Sequence, residues 1–279
     1  MPTPGLSLVG FMDKNQALAH LRTACFPSRD DDSFLEGEWN SAKAKLGPPI
    51  KNPGVPDIQP LPPSHQSYEQ ELMSGPWAQT FMHPALQGAS VSMVEIDPLL
   101  AFQFTVDTSR SNHHCSNLSS PPTIDEMLSA CLPLTPPSES FHLQQQPQSA
   151  IVKTRNLNLQ AQVQGFMHGS ILGLQFGLSV PFTHVVRYNG RSYLHNGFHR
   201  TYGLRLAGAT HAPCIIRDVP DPPSVGIRND GNTFDIGLLE SSNPPTLAHF
   251  TQGRAHAVSL RAMSRILHVS WSDYVVPEE

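Results

Sequence analysis

The chain is poor in charged residues and has no apolar run of membrane-spanning length. Only 15% of its 279 residues are Asp, Glu, Lys or Arg, which is low for a compact globular protein. No stretch approaches the roughly 20 apolar residues that a spanning helix needs. The first residues also lack a basic region followed by an apolar core and a cleavage site. We therefore expect a soluble, cytoplasmic protein with no membrane partner.

Cysteine is scarce as well, and the four cysteines form no C-x-x-C pair. They are Cys25, Cys115, Cys131 and Cys214. Scattered cysteines of this kind are typical of free, mostly buried thiols in a reducing compartment. His113 and His114 stand directly before Cys115, but a tetrahedral zinc site usually needs spaced ligand pairs, with a second pair elsewhere. The sequence therefore predicts no metal site.

Common catalytic and nucleotide-binding motifs are absent too. The chain contains no P-loop, G-x-G-x-x-G, G-x-S-x-G or H-E-x-x-H sequence, which disfavours the common hydrolases and nucleotide kinases. The net charge of −5 argues against a protein that coats nucleic acid. Residues 1–150 hold 7 basic and 15 acidic residues, whereas residues 151–279 hold 11 and 8. The second part is thus mildly basic and rich in arginine, which suits a phosphate ligand.

The chain has 27 prolines, which separate segments of different character. Residues 1–47 are predicted to be a helical N-terminal segment, because apolar residues recur at helical spacing in 11–26 and 34–46. The acidic run between these helices favours a solvated loop and a helix N-cap. Residues 48–66 are predicted to be an extended, proline-rich linker that packs poorly.

The rest of the chain is predicted to form a main domain over 67–219 and a C-terminal β extension over 220–279. Residues 107–149 are polar and of low complexity, so we expect an insertion whose part after 133 is a flexible loop. Within it, Thr123 to Glu126 matches a capping box and predicts a helix start. The apolar, glycine-punctuated stretch 166–178 is expected to be a short helix.

The most informative segment, residues 181–217, predicts a compact β-β-α-β unit. An apolar strand ends at Tyr188, and Asn189-Gly190 makes a tight hairpin turn. A second strand leads to Gly197, a helix ends at Gly208, and a further strand closes the unit. A glycine turn that opens a helix exposes backbone N–H groups and the positive end of the helix dipole. With His199 and Arg200 beside them, these groups predict an anion site, most often a phosphate site.

This segment resembles the ParB/sulfiredoxin-like superfamily, in which a Gly-x-x-Arg variant opens the helix after a hairpin. Gly197, His199, Arg200 and the strand beginning at Pro213 fit that pattern. The resemblance implies a mixed α+β domain with a phosphate or nucleotide site at the motif. Phe198 occupies the position of the sulfiredoxin cysteine and of the glutamate in CTP-binding ParB proteins. Sulfinic-acid reduction is thereby disfavoured, and the further triphosphate motifs are missing.

Residues 91–98 are similar to the strand and turn that begin ParB-like domains, and Arg110 follows them. By this analogy Glu95 and Asp97 are the carboxylates nearest the motif. Because they are two apart in a strand, they share one face and could bind Mg²⁺ or act as a general base. A solvated strand face would give the same pattern. On the motif helix, Arg205 is expected to be solvent-exposed.

The sequence thus predicts an α+β protein with two kinds of candidate residue. The candidate catalytic residues are His199, Glu95 and Asp97. The candidate ligand-binding residues are Asn196, Gly197, Phe198, His199 and Arg200. The leading hypothesis is a ParB-like module for a phosphorylated small molecule or nucleic-acid end, with room for nuclease or phosphotransfer activity and for Mg²⁺ carried by a nucleotide. The alternative is a non-catalytic scaffold that keeps the fold and binds a protein partner.

Overall fold

The structure, a computed structural model, describes residues 2–25, 31–75, 88–135, 142–154, 159–165, 172–178, 182–227 and 233–275. Both helices and sheets occur in these residues, so the predicted α+β class is confirmed. The helices are α1 (Lys14–Ala24), α2 (Asp32–Lys45), α3 (Gln66–Ser74), α4 (Thr108–Cys115), α5 (Ile124–Cys131), α6 (Phe198–Leu206), α7 (Pro222–Val225), α8 (Ile236–Glu240) and α9 (Leu247–Thr251). Short 3-10 turns cover Val9–Phe11 and Pro63–His65.

The strands form three sheets and one separate hairpin. They are β1 (Thr3–Ser7), β2 (Ile58–Pro60), β3 (Ser90–Glu95), β4 (Thr105–Asp107), β5 (His142–Gln146), β6 (Ser149–Thr154), β7 (Leu159–Gly165), β8 (Leu172–Leu178), β9 (His184–Tyr188), β10 (Arg191–Asn196), β11 (His211–Asp218), β12 (His256–Leu260) and β13 (Arg265–Ser270). The largest sheet has the order β10-β9-β11-β3-β2. The smaller sheets are β12-β1-β4 and β13-β6-β5, and β7 pairs with β8.

The β-β-α-β unit predicted for 181–217 is confirmed and forms one side of the largest sheet. β9 and β10 make a hairpin, α6 follows, and β11 returns parallel to β9. Asn189 and Gly190 both have positive φ, 49° and 71°, as a two-residue hairpin turn of this hand requires. On its other side β11 pairs antiparallel with β3, which brings residues 90–95 next to the motif unit.

The predicted N-terminal helices are confirmed, and the acidic run does supply a cap. The Asp31 carboxylate accepts hydrogen bonds from Ser33 and Phe34 at the start of α2. The segment also contains β1, which pairs with β4 on one side and β12 on the other. The N-terminal and C-terminal segments therefore share a sheet with the main domain.

Residues 48–66 are not a loosely packed linker, and that prediction is wrong. The Gly54 N–H donates to the Pro98 carbonyl at 2.7 Å, and the Gly54 carbonyl accepts from the Ser192 N–H at 2.8 Å. Leu61 is only 4% exposed. Since an edge strand needs no donor on its outer side, β2 tolerates Pro60 and joins the largest sheet.

Residues 107–149 likewise contribute to the fold instead of forming a peripheral insertion. α4 lies along α6, and α5 buries Leu128, Cys131 and the following Leu132. The capping box of Thr123 and Glu126 is confirmed at the start of α5. β5 lies where a loop is expected and pairs with β6, although residues 136–141 lie outside the described part of the chain.

The expected helix at 166–178 is also wrong where it can be compared. Residues 172–178 are strand β8, and residues 166–171 are not described. The sequence LGLQFGL alternates apolar residues with glycine or glutamine, which is a strand period, and two glycines disfavour a helix. No helix within the described ranges is long and apolar enough to cross a membrane.

Candidate functional site

The candidate site is built on the first turn of α6. Gly197 is the N-cap, with φ 103° and ψ 14°, a left-handed conformation that glycine adopts without strain. Its N–H donates to the Asn196 side-chain oxygen at 2.8 Å. Within the described residues no side chain caps this end of α6. The N–H groups of Phe198 and His199 therefore point outward from the positive end of the helix, available to an acceptor.

The inner face of α6 carries an arginine with one glycine before it and one glycine after it. Gly197, Arg200 and Gly203 are three residues apart, so they lie on one face. A Cβ at Gly197 would come within 2.8 Å of the Thr183 hydroxyl, and one at Gly203 within 2.5 Å of the Cys115 sulfur. Gly197 thus allows the residue just before β9 to approach α6 closely, and Gly203 does the same for α4. Arg200 lies between these two contacts.

Arg200 is buried and forms no ion pair with a carboxylate of the described residues. The residue as a whole is 6% exposed. Burial lowers the pKa of this side chain, the nearby Cys131 and Cys115 thiols oppose that effect, and Arg110 adds to it. A cation at such a position has lost much of its hydration, and an anionic partner would offset that loss. The site therefore has a positive charge without a carboxylate partner among the described residues.

Two buried hydroxyls near Arg200 also lack ordinary hydrogen-bond partners. The Ser111 hydroxyl, on the inner side of α4, is buried with no partner among the described residues. The Thr183 hydroxyl makes no hydrogen bond of ordinary geometry there either. It does lie close enough to the Cys131 thiol to lower its pKa slightly, although burial has the larger effect and raises that pKa to about 11. The Thr183 hydroxyl adjoins Gly197 and the Ser111 hydroxyl adjoins Gly203, which is about 9 Å further along α6, so only the Thr183 hydroxyl lies beside the first turn.

Arg110 and two neutral histidines lie near Arg200. Burial, followed by the positive charge of Arg110, lowers the pKa of His199 to about 4. Partial burial also lowers the pKa of His114, with Arg200 and His199 contributing. Arg110 and His114 are four residues apart on α4 and so lie on one face. The facing turns of α4 and α6 therefore bring two arginines and two histidines together.

The carboxylate that acts on His199 is Asp107, and it is already engaged. Asp107 raises the pKa of His199 against the larger lowering effect of burial. Its carboxylate accepts from the N–H groups of Ser109 and Arg110 as the N-cap of α4, and from the Thr3 hydroxyl. Because these donors occupy the carboxylate, it does not form an ion pair with either arginine.

The predicted catalytic carboxylates do not join this cluster. Asp97 receives two hydrogen bonds from Arg205, at 3.0 and 3.2 Å, and one from Thr251 at 3.3 Å. Arg205 lies six residues after His199, or about 9 Å along α6. Glu95 accepts from the Asp57 N–H at 3.0 Å. The proposed set of His199, Glu95 and Asp97 is therefore not assembled.

Two statements about individual side chains also need correction. Arg205 was expected to be solvent-exposed, but its side chain is only 33% exposed and pairs with Asp97. Phe198 was a ligand-binding candidate, but it is 1% exposed and packs edge-on against Phe102, 6.0 Å between ring centres. The Phe198 side chain belongs to the core, and only its N–H remains available to a ligand.

The sequence did not identify the residues that α4 adds to the site. Arg110 and His114 share a helix face, yet the pattern His113-His114-Cys115 drew attention to metal binding instead. No group of three or more His, Cys, Asp or Glu side chains within the described residues could hold a metal ion. The i, i+4 spacing of Arg110 and His114 was the available indication, but nothing in the sequence placed that face against α6.

All four cysteines are free; Cys115 is half-buried and the other three are buried. Comparison of the chain with protein-family models, with curated proteins and with solved structures gives no match. The resemblance to the ParB/sulfiredoxin-like superfamily therefore rests on the sequence motif.

Proposed function

We propose that the protein is a ParB-like module that binds a phosphorylated ligand, a nucleotide or a nucleic-acid end, between α4 and α6. The observation that carries the proposal is Arg200, a cation that is 6% exposed and has no carboxylate partner among the described residues. Structures rarely keep a buried polar group without a partner, and a buried charge is normally paired. A bound anion would supply the partner that the described residues do not.

The donors around Arg200 match a phosphate better than a carboxylate. A phosphate has three or four acceptor oxygens in tetrahedral arrangement and up to two negative charges. Arg200 offers a planar fork of donors, and the Thr183 hydroxyl and the first N–H groups of α6 lie at the same end of the helix. Arg110 supplies a second positive charge, which suits a doubly charged phosphate.

The proposal concerns binding and not catalysis. The two carboxylates that could have acted as bases are held by Arg205 and by the Asp57 N–H. A Mg²⁺ ion would therefore arrive with a nucleotide, coordinated by its phosphates. The alternative function, a protein-interaction scaffold that has lost its ligand, would leave Arg200 buried without an anionic partner.

The test compares phosphorylated with unphosphorylated ligands of the same size. The probes are AMP, ATP with and without Mg²⁺, and a hexathymidylate carrying either a 5′-phosphate or a 5′-hydroxyl. A phosphorylated probe at about a hundred times its Kd should stabilise the protein by about 2.7 kcal/mol, or raise Tm by roughly 5–10 °C. The matching unphosphorylated probe should give no shift.

Two arginine variants complete the experiment. Arg200→Met should lose the shift, whereas Arg187→Met should keep it, because Arg187 pairs with Asp218 on the exposed side of β9. The proposal is overturned if no phosphorylated probe shifts Tm, or if Arg200→Met binds as well as the wild-type protein.

A further inference from the structure

A second surface, separate from the phosphate site, is a groove at the edge of the largest sheet. It has a volume of about 610 Å³ and lies between residues 59–63, residues 121–127 and residues 208–211. Five prolines and two methionines line it. The proline backbone is rigid, whereas the methionine side chains can adapt to the shape of a ligand. This volume is in the range of binding pockets, and the lining is mainly apolar.

One wall of the groove is β2, an edge strand whose outer side offers only acceptors. The Glu95 N–H donates to the Asp57 carbonyl at 2.9 Å, and Gln59, two residues after Asp57, pairs with Met93 of β3. In an antiparallel ladder the carbonyls of the intervening residues, Ile58 and Pro60, then point away from β3. Pro60 has no N–H, and the Ile58 N–H lies close enough to the Asp57 carboxylate to help lower its pKa. No described residue donates to either outward carbonyl.

The ends of this wall are acidic. Asp57, just before residue 59, pairs with His211 at 3.3 Å, and Asp125 pairs at 2.9 Å with His65, just after residue 63. The two carboxylates remain 56% and 87% exposed. No lysine or arginine lines the groove. The rim therefore attracts positive charge at both ends of an apolar centre.

We propose that this groove binds an extended peptide of a partner protein, apolar in the middle and basic at its ends. The peptide adds a strand outside β2 and donates backbone N–H groups to the carbonyls of Ile58 and Pro60. Its apolar side chains reach into the groove toward Leu61 and Met127, and its lysines or arginines approach Asp57 and Asp125. A small apolar molecule would fill the volume but would leave the carbonyls and the rim carboxylates unmatched.

The proposal is independent of the phosphate site and is tested with the full chain. Phage-displayed random heptapeptides are selected on the wild-type protein and on Thr210→Trp, in which an indole fills the groove from an exposed position. Ser242→Trp adds the same indole at an exposed position that does not line the groove. We expect enriched peptides with an apolar centre and at least one terminal Lys or Arg. They should bind at least tenfold more weakly to Thr210→Trp and normally to Ser242→Trp.

Selected peptides are then measured individually by fluorescence anisotropy. Asp57→Asn combined with Asp125→Asn should weaken binding several-fold at low salt, and N-methylation of the central peptide amides should abolish it. Circular dichroism confirms that each variant is folded, and Gln59→Trp replaces Thr210→Trp if the latter is not. The proposal is overturned if no peptide is enriched, if acidic peptides are enriched, or if filling the groove leaves the affinity unchanged.

Discussion

Arg200 and Arg205 lie five residues apart on the same helix, and of these two arginines only Arg205 pairs with an acid of the described residues. Arg205 is partly exposed and makes two hydrogen bonds to Asp97, which ties α6 to the turn after β3. Arg200 is more deeply buried and makes no such contact. The difference makes Arg205 a structural arginine and is the basis for proposing that Arg200 binds a ligand.

Replacing each arginine by methionine should therefore have opposite consequences. Arg205→Met leaves Asp97 without its cation and should destabilise the fold by about 1 kcal/mol, since the pair is partly exposed. Arg200→Met removes a buried charge that has no carboxylate partner among the described residues and should leave the free energy of unfolding unchanged or higher. It should weaken binding of a 5′-phosphorylated hexathymidylate roughly 10-fold or more, the loss of one charge-assisted contact. Urea unfolding and calorimetric titration of both variants measure this; a strongly destabilised Arg200→Met would show that the arginine is structural.

Gly203 permits the close contact of α4 and α6, so adding a methyl group there should separate the two helices. A Cβ would lie 2.5 Å from the Cys115 sulfur and 2.7 Å from the Ser111 hydroxyl. We expect Gly203→Ala to lose about 1–3 kcal/mol of stability and to lower phosphate affinity. Gly37→Ala is the matched control, because Gly37 lies in α2 with no neighbour within 4 Å. There alanine should add about 0.5–1 kcal/mol in urea unfolding, and equal effects at the two positions would refute the argument.

Gly197 has a left-handed conformation and no room for a side chain. Replacing it should therefore lower the free energy of unfolding by more than backbone strain alone would. Its φ is 103°, and a Cβ would lie 2.8 Å from the Thr183 hydroxyl. Gly253 has φ 72° but no neighbour within 4 Å. Thermal unfolding of Gly253→Ala should show a loss of about 1–2 kcal/mol, from backbone strain. Gly197→Ala should exceed that loss and also abolish the Tm shift caused by a phosphorylated probe; equal losses would mean that Thr183 yields easily.

Buried histidines should make the protein less stable in acid. Burial lowers the pKa of His184 to about 3, with His195 and Arg217 adding to the effect. Because the folded pKa lies below the unfolded value of about 6.5, the unfolded chain binds more protons between these two values. Stability is therefore full above about pH 6.5 and declines as the pH falls toward 3. Between pH 7 and 4.5 this residue should account for a loss on the order of 2–3 kcal/mol.

Urea unfolding of His184→Leu at pH 7 and at about pH 4.5 measures how much of the acid-induced loss of stability is due to His184. The variant should lose less stability than the wild-type protein on acidification, whereas His268→Leu, at an exposed position on β13, should behave like the wild type. An unchanged acid loss in His184→Leu would show that other groups govern the pH dependence.

Local sequence determined the part of the fold in which neighbouring residues decide the structure. Asn189-Gly190 fixed the hairpin, because both residues adopt the positive φ that the turn needs. Gly197 fixed the start of α6, and Thr123 with Glu126 fixed the start of α5. These features depend on backbone conformation and on hydrogen bonds within a few residues, so they can be recognised without knowing the tertiary structure.

The composition of the site was decided by tertiary packing. Arg110 and Arg200 are 90 positions apart, and they meet because α4 packs along α6 through the small side of Gly203. Asp97 and Arg205 are 108 positions apart and pair because β3 lies beside β11. Contacts across such separations depend on which faces of helices and sheets are buried together. A short motif carries no information about that choice, so the sequence predicted an anion site at Gly197 but assigned it the wrong carboxylates.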